Sequence, residues 1–355
     1  MATPTSPAPT APVGYIGYGL VWGYPVRGMS FNVKAHQQIF HGDPATNNAD
    51  QPIYHVGPLE VDGDVSWPII IGDPVTYKIV QVAINRIIEG GNSKKTLEKG
   101  DIVCWFPPAT GTDPYMRQAG GCMVNRLSFK GTAGERVEAS INVIGLTLSE
   151  GASESNANSK DSVPFDMGRV MTWGDVLITA KFGDGADTDD GGESRFAGCS
   201  VKEFTLEINN NVTRANTFCW PYAEDGTKFV AAATILGRRQ VSGSLAFVGS
   251  ASTQGSARQN MITEAAGDEL VISMGARRGK AGGMMAKLHR VTYELQQIDL
   301  SSGVIYGRTN FTAHGGGPGE PSIEFTLDAQ GKDTNQRAWQ KSLNDLDRDM
   351  SQRKL

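Results

Sequence analysis

The sequence lacks the features that mark several common classes of protein. Its four cysteines (Cys104, Cys122, Cys199 and Cys219) lie far apart, without a C-x-x-C pair or histidines at ligand spacing. Neither a zinc site nor a disulfide framework is therefore indicated, and buried free thiols are expected. The chain has no apolar run of the roughly 18 residues that a membrane span needs, and its N-terminus has no cationic or apolar signal region. We therefore expect a protein made in the cytoplasm that does not insert into a membrane.

An excess of basic charge is also missing. The 33 Lys and Arg residues are outnumbered by 38 Asp and Glu residues, for a formal net charge of −5. Without a global positive field, tight binding to nucleic acid of any sequence is disfavoured. Glycine is abundant instead: the chain of 355 residues has 43 glycines, well above the roughly 7% of average usage. This excess favours a turn-rich β protein.

Catalytic motifs are absent as well. The sequence has no G-x-S-x-G or H-E-x-x-H motif, and its five histidines are scattered. The glycine-rich loop at 275–283 has the wrong spacing for a phosphate loop, and Ala281 stands where Ser or Thr would bind magnesium. The acidic loop at 184–193 fails the EF-hand spacing, so a solvated or partner-facing loop is favoured over a calcium site. We expect no enzymatic activity and no cofactor.

Alternation of apolar and polar residues is the dominant pattern, and it predicts β-strands. The strip VDGDVSW at 61–67 returns half a chain later as VSGSLAF at 241–247. Each half offers two strands, a short helix, a strand and a hairpin in the same order. The hairpins are expected across the turns KGTAGE at 130–135 and IDLSSG at 298–303.

A helix is predicted directly after each strip. In the first half, Asp73-Pro74 supplies an N-cap and a first-position proline, and Gly90-Gly91 is the expected stop, although the many β-branched residues leave a strand open. In the second half, a capping box at 256–259 opens a short helix that Gly267 closes.

The repeated order predicts two tandem β domains. We place a disordered N-terminal arm at 1–13, a first domain at 14–150, a linker at 151–165, a second domain at 166–330 and an amphipathic C-terminal helix at 331–355. The apolar face of that helix consists of Trp339, Leu343, Leu346 and Met350. It can dock on its own second domain or on a neighbouring subunit, and both remain open.

Two stretches of the second half carry a resemblance to a known family. GCSVKEFTLEINNNVTR at 198–214 and ILGRRQVSGSLAFVG at 235–249 resemble the tail tube proteins of long-tailed bacteriophages. In that family a strand ending in an Asn-Asn turn is followed by a Gly-Arg-x-x-Val-x-Gly strand. The hairpin at 121–145 is similar to the family's hairpin, whereas the first strip has no arginine before it. The resemblance covers about residues 14 to 328.

This resemblance implies a mostly β fold of two tandem tail-tube domains, each a sandwich or barrel-like sheet with a short helix. It also implies a virion protein, assembled in the host cytoplasm, that binds copies of itself in stacked, trimeric and pseudo-hexameric rings. The lumen of these rings would conduct double-stranded DNA without specific binding. The other partners implied are a tape measure protein, a tail terminator and tail tip proteins. Ring closure would remove the free strand edges, with three chains supplying six sheet segments.

The resemblance gives the polar residues of the strips a predicted role. Because Lys and Arg contacts to phosphate dominate DNA affinity, a lumen lined by acidic and hydroxyl side chains would let DNA slide. The lumen candidates are Glu60, Asp62, Asp64, Ser242 and Ser244. The candidates for loop contacts to the next ring are Asp43, Asn47, Asn48, Asp184, Asp187, Asp189 and Asp190. The candidates for a subunit-contact helix are Trp339, Leu343, Leu346 and Met350.

Three alternatives stay open from the residues alone. A carbohydrate-binding or adhesin-like β-sandwich would present exposed aromatic platforms, although Trp67 falls on an apolar face. An enzyme would place the carboxylates in a cleft between the domains. A capsid-decorating or baseplate protein would use the same β elements in a different assembly.

Overall fold

The structure is a computed structural model that describes only part of the chain. The described residues are 17–42, 53–71, 74–84, 86–88, 95–106, 115–152, 169–181, 193–195, 200–215, 233–249, 266–275, 283–299, 305–315 and 321–327. The predicted N-terminal arm, most of the predicted linker, the second predicted helix up to residue 265 and the C-terminal helix lie outside them, and Ala266, at the predicted end of the second helix, begins a strand instead. The domain boundaries stay a prediction.

The described part is mostly β-structure, as predicted. In the first half the strands are β1 Gly17–Val21, β2 Tyr24–Gly42, β3 Ile53–Pro68, β4 Arg86–Ile88, β5 Lys95–Leu97, β6 Gly100–Phe106, β7 Tyr115–Thr132, β8 Glu138–Gly145 and β9 Thr147–Ala152. In the second half they are β10 Val176–Lys181, β11 Glu193–Arg195, β12 Ser200–Asn209, β13 Val212–Ala215, β14 Ala233–Leu236, β15 Gln240–Gly249, β16 Ala266–Met274, β17 Met284–Asp299, β18 Ile305–Ala313 and β19 Ile323–Leu327. The α-helix of the described part is α1, Pro74–Ile84.

Both predicted hairpins form, and both strips are strands. β7 pairs with β8 across the first predicted turn, and β17 pairs with β18 across the second. The strips lie in β3 and β15, where their apolar side chains are buried and their polar ones alternate toward solvent. Alternation succeeds as a signal here because one face of each strand packs on the core.

The two halves repeat one order of strand pairing. In the first half the order is β6-β1-β2-β3-β8, and β7 pairs with both β6 and β8, which closes a barrel. In the second half β12-β15-β18-β17-β16-β10 repeats it, and β10 pairs with β11 as β1 pairs with β2. The register repeats too: Asp64 pairs with Asn142, and Ser244, the same position of the second strip, pairs with Asn310.

The two halves also share one sheet. β12 pairs with β7 in antiparallel register from Glu203–Thr132 to Asn209–Arg126. We call this pairing the internal joint. It makes β2-β3-β8-β7-β12-β15-β18-β17 one continuous sheet, four strands from each half. A single buried cluster accordingly runs through both halves.

Helix α1 follows the first strip, as predicted, but it ends earlier than predicted. It begins at Pro74 and ends at Ile84, and Arg86–Ile88 then forms β4 against β5 instead of continuing to the glycine pair. β-branched residues at the end of the predicted helix favour this strand. Val75, Ile79 and other apolar side chains of α1 are buried against the barrel.

The cysteines that the structure describes match the expected free thiols. Cys104 and Cys122 are buried and unpaired. Burial raises the pKa of each thiol to about 12, so both stay protonated and unreactive in the folded protein. Cys199 and Cys219 lie outside the described residues. No helix of the described part is long and apolar enough to cross a membrane.

A short segment at the start of the second half docks on the first. Ile70 bridges Val170, and Arg136 bridges Thr172, so this segment lies between the end of β3 and the β7–β8 turn. It leads to Asp175, whose side chain is 3% exposed. Thr172 donates to that carboxylate from its backbone N–H at 3.0 Å and its hydroxyl at 2.9 Å, and the Arg169 guanidinium also donates to it. Burial raises the pKa of Asp175, but these hydrogen bonds outweigh it and hold the pKa below its usual value.

The lowered pKa makes stability depend on pH in a defined direction. The contribution of the charged Asp175 is fully present above the unfolded pKa of about 3.9 and is lost as the pH falls through the lower folded pKa. At about pH 7, Asp175→Asn should lower the free energy of unfolding by about 1–3 kcal/mol, and the difference should shrink as the pH falls below about 3.9. Denaturant unfolding of both proteins across this range checks it. A difference that stays constant would assign the loss to packing and not to the charge.

Candidate functional surface

One face of the continuous sheet is polar across both halves. Apolar side chains such as Val65, Leu127, Leu206 and Leu245 point to the buried face, so their neighbours along each strand share the other one. We call this other face the polar face. Its charged residues with described side chains include Lys34, Glu60, Asp62, Asp64, Arg126, Lys130, Glu203, Glu207, Glu294 and Arg308. All five lumen candidates lie on it, so the structure brings them together on one surface.

Two of the acidic candidates form a cluster with basic residues. The His36 Nε2 lies 2.9 Å from Glu60 Oε2. The Arg214 guanidinium, which the second half contributes, lies 3.5 Å from Glu60 and 3.3 Å from Asp62, and it also donates to the Val61 carbonyl. His36, Glu60 and Asp62 have the spacing of a metal-binding group. Because the Arg214 guanidinium forms ion pairs with both carboxylates, the arrangement is better explained as an ion-pair network that ties the halves together.

The third acidic candidate belongs to a second network that crosses the internal joint. Asp64 accepts a hydrogen bond from Asn142 at 3.0 Å and lies 3.7 Å from Arg126. Arg126 in turn lies 3.9 Å from Glu207 on the other side of the joint. Four residues away on the same two strands, Glu203 lies 3.8 Å from Lys130, and it also lies 3.1 Å from Arg308 of β18. The charged residues of the polar face therefore form a network in which acidic and basic side chains alternate.

The serine candidates form a neutral patch beside these charges. The Ser244 hydroxyl lies 2.9 Å from the Thr205 hydroxyl, and the Ser244 backbone N–H donates to the same oxygen at 3.0 Å. Ser242 is opposite Glu207 in the pairing of β15 with β12. Carboxylates of the first strip thus correspond to hydroxyls in the second.

Sequence reasoning missed the basic residues of this face. Arg126, Lys130 and Arg308 stand on strands whose alternation is evident, so their side of the sheet could be read from the pattern. Their ion pairs with acidic residues of other strands could not be predicted from the pattern, because these depend on which strand edges pair. The polar face thus carries basic residues beside the acidic and hydroxyl side chains that the sequence predicted for the lumen.

The internal joint also has a buried polar anchor. Asn210, which is 1% exposed, donates to the Ala83 carbonyl at 2.9 Å and to the Val124 carbonyl at 3.1 Å. The Arg239 guanidinium donates to the Asn210 side-chain oxygen at 3.1 Å and to the carbonyls of Ala83 and Ile84. These carbonyls end helix α1, where a cation interacts favourably with the helix dipole. Residues of the second half therefore cap the helix of the first.

The remaining candidates lie outside the described residues. They are the loop residues Asp43, Asn47, Asn48, Asp184, Asp187, Asp189 and Asp190, and the helix residues Trp339, Leu343, Leu346 and Met350. Their predicted roles stay predictions.

Comparison with known proteins gives one family and a set of distant structures. Curated proteins give no match. One matching solved chain comes from a structure described as "Tail of empty GTA particle computed with helical refinement, C6 symmetry"; it is 15% identical, covers 44% of this chain and 100% of its own length, and has a TM-score of 0.27. The phage tail tube protein family matches residues 42–329, most of the chain. The fold described above has a repeated order of strand pairing and two strand edges without a described partner. Together with this fold, the family match identifies the protein as a member of the phage tail tube protein family.

Proposed function

We propose that this tail tube protein assembles as three chains per ring, with six equivalent sheet segments, and that stacked rings form a tube that conducts double-stranded DNA. The observation that carries the proposal is the internal joint. It unites two halves with the same pairing order into one sheet and leaves a strand edge without a described partner at each end. Repeating this joint between chains closes the sheet, which removes the exposed edges.

The polar face is proposed to line the lumen. Three of its basic residues, Arg126, Lys130 and Arg308, are held in ion pairs with carboxylates, whereas, within the described part of the chain, Lys34 at the β2 edge is not. A phosphate would have to compete with these partners for each guanidinium, and free carboxylates would repel it. A surface of this kind supports passage of DNA without retention. The lumen candidates Glu60, Asp62, Asp64, Ser242 and Ser244 keep their proposed role, now beside the basic residues of the same face.

The carbohydrate-binding alternative finds no support in the described residues. Of the tryptophans described, Trp22, Trp67 and Trp105 are buried and Trp173 is half-buried, packed on the Phe204 ring. A glycan platform needs an exposed aromatic face. As a tail tube subunit the protein is proposed to act without catalysis, with the tape measure, terminator and tip proteins as its other partners in the virion and with assembly in the host cytoplasm.

Negative-stain microscopy over a concentration series, with mass measurement of the smallest ring, tests the proposal. The expected result is hollow tubes and a smallest ring with the mass of three chains. Six chains per ring would preserve the tube but contradict the proposed pairing of two sheet segments from each chain. A monomer at every concentration would overturn the proposed assembly.

A further inference from the structure

Two strand edges of the continuous sheet lack a partner in the described part of the chain. At one end, β2 pairs with β3 from Ser30 onward, but its other edge pairs with β1 only as far as Met29. At the opposite end, β17 pairs with β18 as far as Asp299, but its other edge pairs with β16 only as far as Thr292. Among the described residues, the backbone N–H and C=O groups of each edge have no strand partner.

The chain itself shows how such edges meet. β12 is the counterpart of β2, and β7 is the counterpart of β17, because each holds the same place in the repeated pairing order. The internal joint pairs β12 with β7. We propose that the open β17 edge of one chain pairs with the open β2 edge of a second copy in the register of the internal joint, and that opposite charges restrict pairing to this combination. The inference rests on the proposed ring and names the contact that builds it.

The internal joint has a definite charge polarity. Its β7 edge carries Arg126 and Lys130 on the polar face, and its β12 edge carries Glu207 and Glu203. The ion pairs across it measure 3.9 Å for Arg126 with Glu207 and 3.8 Å for Lys130 with Glu203. The β7 edge is thus basic and the β12 edge acidic.

One ion pair of the internal joint, Arg126 with Glu207, has counterparts of exchanged sign at the open edges, whereas Ser30 stands at the position of Glu203. Arg126 and Glu294 are equivalent, because each stands opposite the asparagine that the hairpins share, Asn142 and Asn310. The β17 edge is therefore acidic where the β7 edge is basic.

The β2 edge is reversed in the same way. Lys34 and Glu207 are equivalent, because they stand opposite Asp62 and Ser242, the second residues of the two strips. Lys34 and Glu294 are both exposed, and no side-chain partner occupies either among the described residues. In the register of the internal joint, Lys34 of one copy takes the place of Glu207, and Glu294 of the next takes the place of Arg126, so the two are diagonal neighbours as Glu207 and Arg126 are.

This inversion makes the wrong combinations unfavourable. Because β7 and β12 are already paired within each chain, the competing combinations are β2 with β2, which joins two edges that carry Lys34, and β17 with β17, which joins two edges that carry Glu294. Like charges on neighbouring strands are destabilising, so each edge discriminates between its two possible partners. First and second halves must then alternate around the ring, which keeps two first halves from pairing.

The new joint lacks the arginine anchor of the internal one. Leu59 stands two residues before the first strip, where Arg239 precedes the second. Pairing between copies therefore depends more on the strand edges and their charges than the internal joint does. Assembly should accordingly be sensitive to salt, while the fold of each chain is not.

Charge exchange in the full-length protein tests the inference. Lys34→Glu and Glu294→Lys should each raise the concentration for half-maximal ring assembly about tenfold or more in low salt, because each places like charges across the joint. The double variant K34E/E294K should return assembly to near the native concentration. The matched control is Glu135→Lys, an exposed glutamate of the β7–β8 turn with the same change of charge. Mass photometry gives the assembly, and circular dichroism with thermal unfolding confirms that each monomer is folded.

The outcomes separate this inference from the proposed ring. Native protein that forms no ring would overturn the proposed function itself. Rings that form normally with either single variant, or a double variant that stays as impaired as the singles, would overturn the charge pairing and leave the ring intact. A Glu135→Lys control as impaired as Glu294→Lys would also overturn it, since net charge alone would then explain the loss.

A mixture of the two single variants adds a test of geometry. Opposite charges then meet only between unlike chains, so Lys34→Glu and Glu294→Lys should form mixed pairs. A ring of three chains cannot alternate two variants, so the mixture should not close three-chain rings, whereas the double variant should. Mixed pairs that fail to form would contradict pairing of these edges.

Discussion

Gly63→Ala should be among the most damaging single substitutions in the protein. A Cβ at Gly63 would lie 2.6 Å from the Val33 Cα and closer still to the Asn32 carbonyl, both backbone atoms of β2, and the residue has a φ of +154°. Overpacking costs typically about 1–3 kcal/mol, and a strained backbone conformation costs about 1–3 kcal/mol more. We therefore expect the free energy of unfolding to fall by about 2–6 kcal/mol, a large part of the stability of a typical domain.

The second strip makes the same prediction independently. A Cβ at Gly243 would meet the Thr205 carbonyl of β12 and the ring of Phe311, whose Cε1 would lie 2.9 Å away. Gly243→Ala should thus be strongly destabilising as well. The control is Gly151→Ala in β9, where a Cβ has nothing within 4 Å. Denaturant unfolding followed by circular dichroism measures all three. Equal midpoints for Gly63→Ala and Gly151→Ala would show that close backbone approach does not require the glycine.

These glycines show what the sequence could and could not supply. The repeated strips, their alternation and the two hairpins were predictable because a period of two and local turns are written in consecutive residues. The shared glycine was part of the repeat, but its reason was not visible, since Asn32 and Thr205 approach it from strands distant in sequence. The sequence therefore shows the repeat, but it does not show why the repeat needs a glycine.

The internal joint was beyond sequence reasoning for a different reason. Both Phe129 and Phe204 belong to alternating strands, and nothing local specifies that their edges pair. No turn links β7 to β12, because the chain between them includes other strands. The role of the basic residues of the polar face could not be predicted for the same reason. Arg126, for example, forms ion pairs with Asp64 and Glu207, which lie on other strands. The end of α1 was misplaced because the β4–β5 pairing competes with the helix.

Loss of the anchor at the internal joint is the second change with a large expected effect. Arg239→Ala removes the guanidinium that donates to the carbonyls of Ala83 and Ile84 and to the side chain of Asn210. Hydrogen bonds to a charged group contribute about 1.5–3 kcal/mol each, and the helix dipole adds some tenths more. We expect the free energy of unfolding to fall by about 2–4 kcal/mol. Arg239→Lys should rescue only part of it, because one ammonium cannot reproduce the planar fork.

The neighbouring arginine is a matched control. Arg238 precedes Arg239 in the same motif but is exposed, so Arg238→Ala should change the free energy of unfolding by no more than about 0.5 kcal/mol. Equal losses for the two alanine variants would refute the anchor. Of the two arginines in the motif, only Arg239 therefore stabilises this joint, and the sequence alone does not distinguish it from Arg238.

A double-mutant cycle shows whether the anchor acts as one unit. Asn210→Ala leaves the Val124 carbonyl without its Asn210 partner and removes the oxygen to which Arg239 donates, so it should cost about 2–4 kcal/mol by itself. Because the two side chains contact each other and share the Ala83 carbonyl, their effects should overlap by about 0.5–3 kcal/mol in the double variant. Strict additivity would mean that each residue holds the helix end separately. Coupling would mean that the second half caps the helix of the first as a single network, so that the anchor stabilises the internal joint as one unit.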